Sequence, residues 1–151
     1  MKRPRLLLLL LLLLVGAGTC KSATPGPDPA TLPPMSTKIR LRIGPDTFTA
    51  TLPHNPTSTA FVARLPLTIS MSELNSNEKY HDLPASLPTN IISPGTIQAG
   101  DLLLYGANTL VLFYQPLATA YRYTRLGRVD NPAGLAAALG RGSATVTFEL
   151  N

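Results

Sequence analysis

From about residue 37 onward, polar and apolar residues alternate in short runs, and this period of two predicts half-buried β-strands. The first run, KIRLRI at residues 38–43, is followed by a turn at Gly44-Pro45-Asp46 and by a second alternating run at residues 47–52. Two such runs around a turn predict a β-hairpin. Residues 67–71 and 144–150 alternate in the same way and predict two further strands.

Two stretches, residues 101–105 and 109–114, are apolar almost throughout and flank a turn at Gly106-Ala107-Asn108. We expect them to be central strands that are buried on both faces. Residues 73–100 are polar and rich in Asn, Pro and Ser, which predicts a long excursion with one short strand near residues 79–81. Loops of that length in a small domain are often functional.

Two short helices complete the pattern. Asn55 and Pro56 are typical of a helix start, and residues 60–65 form the predicted body before Pro66 ends it. For the second helix we expect Asp130 or Asn131 as the cap, residues 135–139 as the body and Gly140 after its end. The predicted fold of residues 37–151 is therefore mainly β (β-rich α+β), a small closed β-barrel with two short flanking helices.

The first 19 residues have the form of a signal peptide for export. A basic start with Lys2, Arg3 and Arg5 precedes nine leucines at residues 6–14, a run too short to span a bilayer. Small residues then lead into Cys20, as in a bacterial lipobox, which predicts a lipid on that cysteine and a membrane-anchored lipoprotein of the bacterial cell envelope. The alternative is ordinary cleavage after Ala17, which would give a secreted or periplasmic soluble protein with a free thiol.

Residues 20–36 predict a flexible tether between that anchor and the domain. Five of the sixteen residues from Lys21 to Ser36 are proline, and no apolar period is present. Such a composition cannot bury enough surface to fold, and proline keeps it extended. If Cys20 is lipidated, the tether holds the domain away from the membrane surface.

Charge and chemistry narrow the function classes. The formal net charge is +5, but three basic residues lie in the signal segment, so the rest of the chain has 10 basic and 8 acidic residues and a net charge of about +2. No basic block interleaved with aromatics is present, and nucleic-acid binding is not predicted. A single cysteine excludes an intramolecular disulfide, and two distant histidines give no metal-ligand spacing, so neither a metal nor another cofactor is predicted.

Three motifs in the last third of the chain follow a familiar order: Gly100-Asp101 at the start of a strand, Leu112-Phe113-Tyr114 within the next, and residues 126–130 (LGRVD) before a helix. Together with residues 78–84 (EKYHDLP), this order resembles the small bacterial cyclophilin-like domains over essentially the whole domain. The resemblance implies a compact cyclophilin-type β-barrel. It implies no single activity, because the family has no established common one.

Five residues are candidate ligand contacts. The Arg128 guanidinium is suited to a ligand carboxylate or amide, unless it only pairs with Asp130 or Asp101. An aromatic and basic stretch at residues 121–125 is suited to a peptide or ring-containing ligand. His81 lies beside Asp82, which would orient its ring as a candidate base. The full candidate set is Arg128, Tyr121, Tyr123, Tyr114 and His81.

The preferred functional hypothesis is a non-catalytic module that binds a small ligand or peptide. The alternative is a peptidyl-prolyl cis/trans isomerase, because full-sized cyclophilins have that activity. An isomerase would need a solvent-facing arginine in a groove next to Phe113 or Phe61. The sequence identifies neither the ligand nor the oligomeric state.

Overall fold

The computed structural model describes residues 35–151. The predicted signal segment, Cys20 and the predicted tether up to residue 34 lie outside this range. Ser36, which we expected at the end of the tether, is already the first residue of a strand. Within the described range, no helix is long and apolar enough to cross a bilayer.

Residues 35–151 contain eleven strands and two short helices. In chain order they are β1 (Ser36–Ile43), β2 (Asp46–Pro53), α1 (Pro56–Val62), β3 (Leu67–Leu74), β4 (Glu78–Asp82), β5 (Ile91–Ile92), β6 (Thr96–Ile97), β7 (Asp101–Tyr105), β8 (Thr109–Phe113), β9 (Leu117–Ala118), β10 (Tyr123–Val129), α2 (Leu135–Leu139) and β11 (Ala144–Leu150).

Eight of the strands close into an antiparallel barrel, in the order β1, β11, β3, β4, β8, β7, β10 and β2. The ring is completed where β10 pairs with β2 at Arg128–Thr51 and Val129–Ala50. β5 adds to the outer end of β10, and β6 pairs with β9 as a separate two-stranded sheet. The predicted fold class, a small closed barrel with two short helices, is confirmed.

The interior of the barrel is filled by every second residue of its strands, as the alternating pattern predicts. Ile39 and Leu41 of β1 and Phe148 of β11 are fully buried there. α1 adds Phe61, whose ring packs edge-on against that of Phe148 with centroids 5.6 Å apart. α2 adds Leu135 to the same core, so both helices are held by apolar contacts.

β7 and β8 are buried on both faces, as expected from their apolar sequences. Leu102 and Leu104 belong to the barrel core, whereas Leu103 belongs to a second apolar cluster on the outside of the barrel. Val111 and Phe113 of β8 lie in that outer cluster as well. The outside of this part of the barrel is therefore a second packed layer.

Two of the motifs that resemble the cyclophilin-like domains, Gly100-Asp101 and residues 126–130, lie at the seam that closes the barrel. A Cβ atom on Gly127 would lie 2.6 Å from the carbonyl oxygen of Thr51, so only glycine lets β10 approach β2 this closely. Gly100, at φ +91°, accepts a hydrogen bond from the Val129 amide (2.8 Å) and donates one to the Phe113 carbonyl (2.8 Å). These glycines are required by the backbone geometry of closure.

α1 begins as predicted, while the cap prediction for α2 is wrong. The Asn55 side chain accepts from the Ser58 amide (2.9 Å), and α1 runs over residues 56–62, earlier than the expected 60–65. α2 begins after Gly134, at φ 81°, with no side-chain cap. Asp130 is unavailable for capping because it accepts from Lys38 (2.8 Å) and from Thr51.

The middle of the chain is more regular than its polar composition predicts. β3 continues to Leu74, and β4 is a complete barrel strand and not an isolated short one. The start of residues 83–100 is held by hydrogen bonds from two other parts of the chain. The Leu83 amide donates to the Asn108 carbonyl (2.8 Å), and the Arg64 guanidinium donates to the carbonyls of Ala85 (2.8 Å) and Ser86 (2.9 Å).

Candidate functional site

The outer faces of β4, β8, β7 and β10 carry an apolar surface that the small β6–β9 sheet covers only in part. Ile97 of β6 and Leu117 of β9 pack on Leu103, Val111 and Phe113 of the barrel wall. Beyond β9, residues 119–121 line the same face without filling the space above it. The space that remains is a cavity of about 520 Å³.

Four tyrosines wall this cavity, which we call the tyrosine pocket: Tyr80, Tyr105, Tyr121 and Tyr123. The Tyr105 ring lies edge-on to that of Tyr121 with centroids 6.1 Å apart, and tilted to that of Tyr123 at 5.7 Å. Tyr123 is 6 % exposed, whereas Tyr105 is 48 % exposed and Tyr121 66 % exposed. The pocket therefore has one fixed aromatic wall and two rings open to a ligand.

A buried carboxylate lies in the same pocket. Glu78 is two residues from Tyr80 on β4, so both side chains project from the outer face of that strand. Glu78 is only 9 % exposed, and its carboxylate receives no hydrogen bond or ion pair from residues 35–151. Burial, with a smaller contribution from the charge of Glu73, raises the pKa of Glu78 above its ordinary 4.5.

Both charged residues of the described pocket lining, Glu78 and Asp82, are acidic. Asp82 is the other lining carboxylate and is exposed, and its Oδ1 accepts from the Thr109 hydroxyl at 2.6 Å. No lysine or arginine lies among the residues within 35–151 that line the cavity. Burial, followed by the charge of Glu78, raises the pKa of the Tyr123 hydroxyl.

Two of the predicted candidates, Tyr121 and Tyr123, lie in the tyrosine pocket, and Tyr114 does not. The Tyr114 hydroxyl donates to the carboxylate of Glu73 at 2.8 Å to Oε1 and 2.9 Å to Oε2. Burial, then this hydrogen bond and the negative charge of Glu73, raises the pKa of Tyr114 to about 12. Tyr114 is thus part of a structural network.

Lys79 is the centre of that network, which we call the lysine cluster. Its side chain is fully buried, and its ammonium donates to Glu73 Oε2, to the Gly140 carbonyl (2.8 Å) and to the Gly142 carbonyl (2.6 Å). Three donors therefore meet three acceptors. The ammonium also lies 5.4 Å from the centre of the Tyr114 ring. The cluster joins β4 to the loop between α2 and β11.

His81 lies on the strand face opposite to Asp82, because neighbouring residues of a strand project to opposite sides. Its Nδ1 lies 2.8 Å from the carbonyl oxygen of Ser70, while Asp82 is bonded to Thr109. The expected orientation of the His81 ring by Asp82 is therefore not found. His81 does not line the tyrosine pocket.

Arg128 lies in a separate open groove, together with Arg125. The Asp101 carboxylate is 3 % exposed and lies 3.7 Å from Arg128 Nε and 3.5 Å from Arg125 Nη1. Arg128 thus lies within ion-pair distance of Asp101, one of the two carboxylates considered for it, and Asp130 pairs with Lys38 instead. The fold thus places Tyr121 and Tyr123 in the tyrosine pocket and Arg125 in the other groove.

Glu78, Tyr80 and Tyr105 were not among the predicted site residues. The available signal was the spacing of Glu78, Tyr80 and Asp82, which places three side chains on one strand face. Tyr105 stands alone at the end of an apolar strand, and nothing local marks it. Only the pairing of β7 with β10, which places Tyr105 opposite Tyr123, brings it to the pocket.

The family model described as the cyclophilin-like family matches residues 41–149. The chain belongs to the cyclophilin-like family. The solution structure of a hypothetical protein from Archaeoglobus fulgidus is similar in fold, with a TM-score of 0.53 and 16 % sequence identity over 80 % of this chain and 99 % of that one. Among curated proteins, none matches this sequence significantly.

The match places the cyclophilin-like domain on the same residues as the closed barrel. Its range begins within β1 and ends within β11, the first and last strands of the ring. At 16 % identity the archaeal structure supports the fold alone. Function has to be argued from the residues of this chain.

Proposed function

We propose that this cyclophilin-like domain is a non-catalytic module that binds a small ligand or peptide in the tyrosine pocket. We also propose that it is exported and held at the bacterial cell envelope by a lipid on Cys20. The observation that carries the binding proposal is the pocket itself. Its volume of about 520 Å³, its aromatic walls and its few polar groups are the usual properties of a small-molecule site.

The lining of the pocket supports binding more than prolyl isomerisation. Isomerisation on the cyclophilin pattern needs an arginine that polarises the prolyl amide, next to an accessible aromatic ring. Phe61 and Phe113 are fully buried, and no arginine of residues 35–151 lines the pocket. Arg125 and Arg128 lie in the other groove, where each guanidinium has one nitrogen within 4.0 Å of the Asp101 carboxylate.

A titration followed by two-dimensional NMR tests the binding proposal. The protein is residues 20–151 with Cys20→Ala, and the probes are an X-Pro peptide and a set of small aromatic fragments. We expect shifts at Tyr80, Tyr105, Tyr121 and Tyr123, without faster cis/trans exchange of the peptide. Faster exchange would replace the proposal with an isomerase, and the absence of shifts in the pocket with every probe would refute it.

The anchor has its own test, which does not depend on the pocket. In a bacterial host, the full chain should fractionate with membranes and incorporate a radiolabelled fatty acid. Cys20→Ala should abolish the label and move the protein to the soluble fraction, because one thiol is the attachment point for the lipid. Unchanged membrane retention of Cys20→Ala would contradict the lipid anchor and leave the binding proposal intact.

A further inference from the structure

Resting on the proposed binding function, we propose that the tyrosine pocket selects an organic cation. In this arrangement, an ammonium or guanidinium head contacts the Glu78 carboxylate, and the organic body of the ligand lies against Tyr105 and Tyr121. The ligand class is defined by this chemistry: an amine, a quaternary ammonium compound, or a lysine or arginine side chain presented by a peptide.

The state of Glu78 is the first reason. A carboxylate that loses much of its hydration and receives no protein contact in return is unfavourable. Glu78 is in this state, at 9 % exposure and without an ion pair to any of residues 35–151. A bound cation would supply the missing partner inside the pocket.

The aromatic walls are the second reason. Cations are attracted to the faces of tyrosine rings, and the attraction strengthens where water is excluded. Tyr105 and Tyr121 are large side chains left about half exposed or more in the pocket that Glu78 also lines, and their rings lie edge to face with centroids 6.1 Å apart. An organic cation would cover both rings and neutralise Glu78 at once.

The third reason is that the neighbouring positive charges lie beside other acceptors. Lys79 is adjacent to Glu78 in sequence but projects from the opposite face of β4 and is saturated by the lysine cluster. The Arg125 and Arg128 guanidinium groups lie beside Asp101 in the other groove. The carboxylates of Glu78 and Asp82 therefore determine the charge of the pocket.

A metal ion fits this site less well than an organic cation. Two carboxylates line the pocket, and residues 35–151 contain no group of three or more His, Cys, Asp or Glu arranged to hold a metal. Calcium takes six to eight oxygen ligands and magnesium demands near-ideal octahedral geometry. The volume of about 520 Å³ and the four aromatic rings instead match an organic molecule.

Three probes of matched shape test the inference on residues 20–151 with Cys20→Ala: phenethylammonium, phenethyl alcohol and 3-phenylpropionate. Binding is followed by NMR shifts of the pocket residues. We expect phenethylammonium to bind roughly tenfold or more tightly than the alcohol, as for other contacts to charged groups, and the anion to bind most weakly. This comparison uses the unaltered pocket and needs no variant.

Glu78→Gln should abolish the preference for the cation while the alcohol still binds, because the shape of the side chain is retained and its charge is lost. Asp82→Asn is the matched control, and we expect less than a roughly threefold change, because Asp82 is exposed and bonded to Thr109. Acidification should weaken binding of phenethylammonium as Glu78 becomes protonated, and the affinity of Glu78→Gln should not follow pH in this range.

Two outcomes separate the failures. If the alcohol and the ammonium bind the pocket equally, with Glu78→Gln unchanged, the cation inference is overturned and the binding function stands. If neither these probes nor the aromatic fragments shift any pocket residue, both the inference and the proposed function are overturned.

Discussion

Glu78 and Lys79 are consecutive residues of β4 with opposite charges, and the barrel treats them in opposite ways. Lys79 projects to the inner side and has a partner for every proton of its ammonium. Glu78 projects to the outer side and has no partner among residues 35–151, although it is nearly as buried. The same strand thus carries one charged group with protein partners and one that has none among residues 35–151.

A structural charge and a candidate site differ in the contacts that the protein makes to the buried group. Both groups are removed from water, so burial alone does not separate them. The difference lies in whether the protein satisfies the group, because removing the partner of a satisfied buried charge is strongly destabilising, whereas a buried charge without a partner is already unfavourable in the folded protein. Variants of the two groups should therefore differ in stability.

Lys79→Met should cost about 3–5 kcal/mol of unfolding free energy, because it leaves the Glu73 carboxylate and two loop carbonyls without their partner. Urea unfolding followed by circular dichroism measures the change. Lys38→Met is the matched control, since the Lys38–Asp130 pair is half exposed, and its cost should stay within about 1 kcal/mol. Equal costs for the two variants would show that the lysine cluster is no more than a surface ion pair.

Tyr114→Phe should cost about 1 kcal/mol, the usual net value of one hydrogen bond. Burial alone would raise the pKa of Glu73, but hydrogen bonds from Lys79 and Tyr114 outweigh it and lower that pKa below 4.5. The stability that these bonds provide is therefore fully present above pH 4.5 and is lost as the pH falls through the lowered pKa. A urea series from pH 7 to pH 3 should show this acid loss, reduced in Tyr114→Phe.

Glu78→Gln should have the opposite sign and stabilise the empty domain at neutral pH by about 0.5–1 kcal/mol. Burial raises the pKa of Glu78, so the ionised group is a penalty to the fold above that pKa. The penalty shrinks as the pH falls towards 4.5, and the gain from Glu78→Gln should shrink with it. A variant that is less stable than the parent at pH 7 would mean that Glu78 has a structural partner.

Arg128→Ala should change stability by less than about 1 kcal/mol, because its guanidinium is half exposed and shares Asp101 with Arg125. It should also leave the affinity of the tyrosine pocket unchanged, because Arg128 lies in the other groove. Thermal unfolding and the phenethylammonium titration measure the two effects. A tenfold loss of affinity in Arg128→Ala would move the candidate site to that groove.

Local patterns predicted the parts of the fold in which one strand face is apolar. The alternation of residues 38–43 and 144–150 gave the correct faces of β1 and β11, and the all-apolar run of β7 needed no choice of face. The start of α1 followed from Asn55 and Pro56. In each case the deciding contacts lie within the segment or in a barrel interior of uniform chemistry.

β4 shows why the site could not be predicted in the same way. Its sequence EKYHD places Tyr80 as the apolar residue, so alternation assigns Lys79 to water, and the structure buries Lys79 completely. The assignment is reversed by the carbonyls of Gly140 and Gly142, about 60 residues away, and by the second apolar layer outside the barrel. The predicted cap of α2 was wrong for a related reason, because Asp130 accepts a hydrogen bond from Lys38 of β1.

β1 lies between β2 and β11, so the first and the last strands in chain order are neighbours in the barrel. Ile39 pairs with Leu150, and the Asn151 amide donates to the Lys38 carbonyl at 3.3 Å. A circular permutant that joins residue 151 to residue 35 through a few glycines, and opens the chain at Gly44-Pro45, would retain every strand pairing. The order in which the strands are synthesised is therefore separable from the architecture, and the tyrosine pocket would be carried unchanged on a chain with new ends.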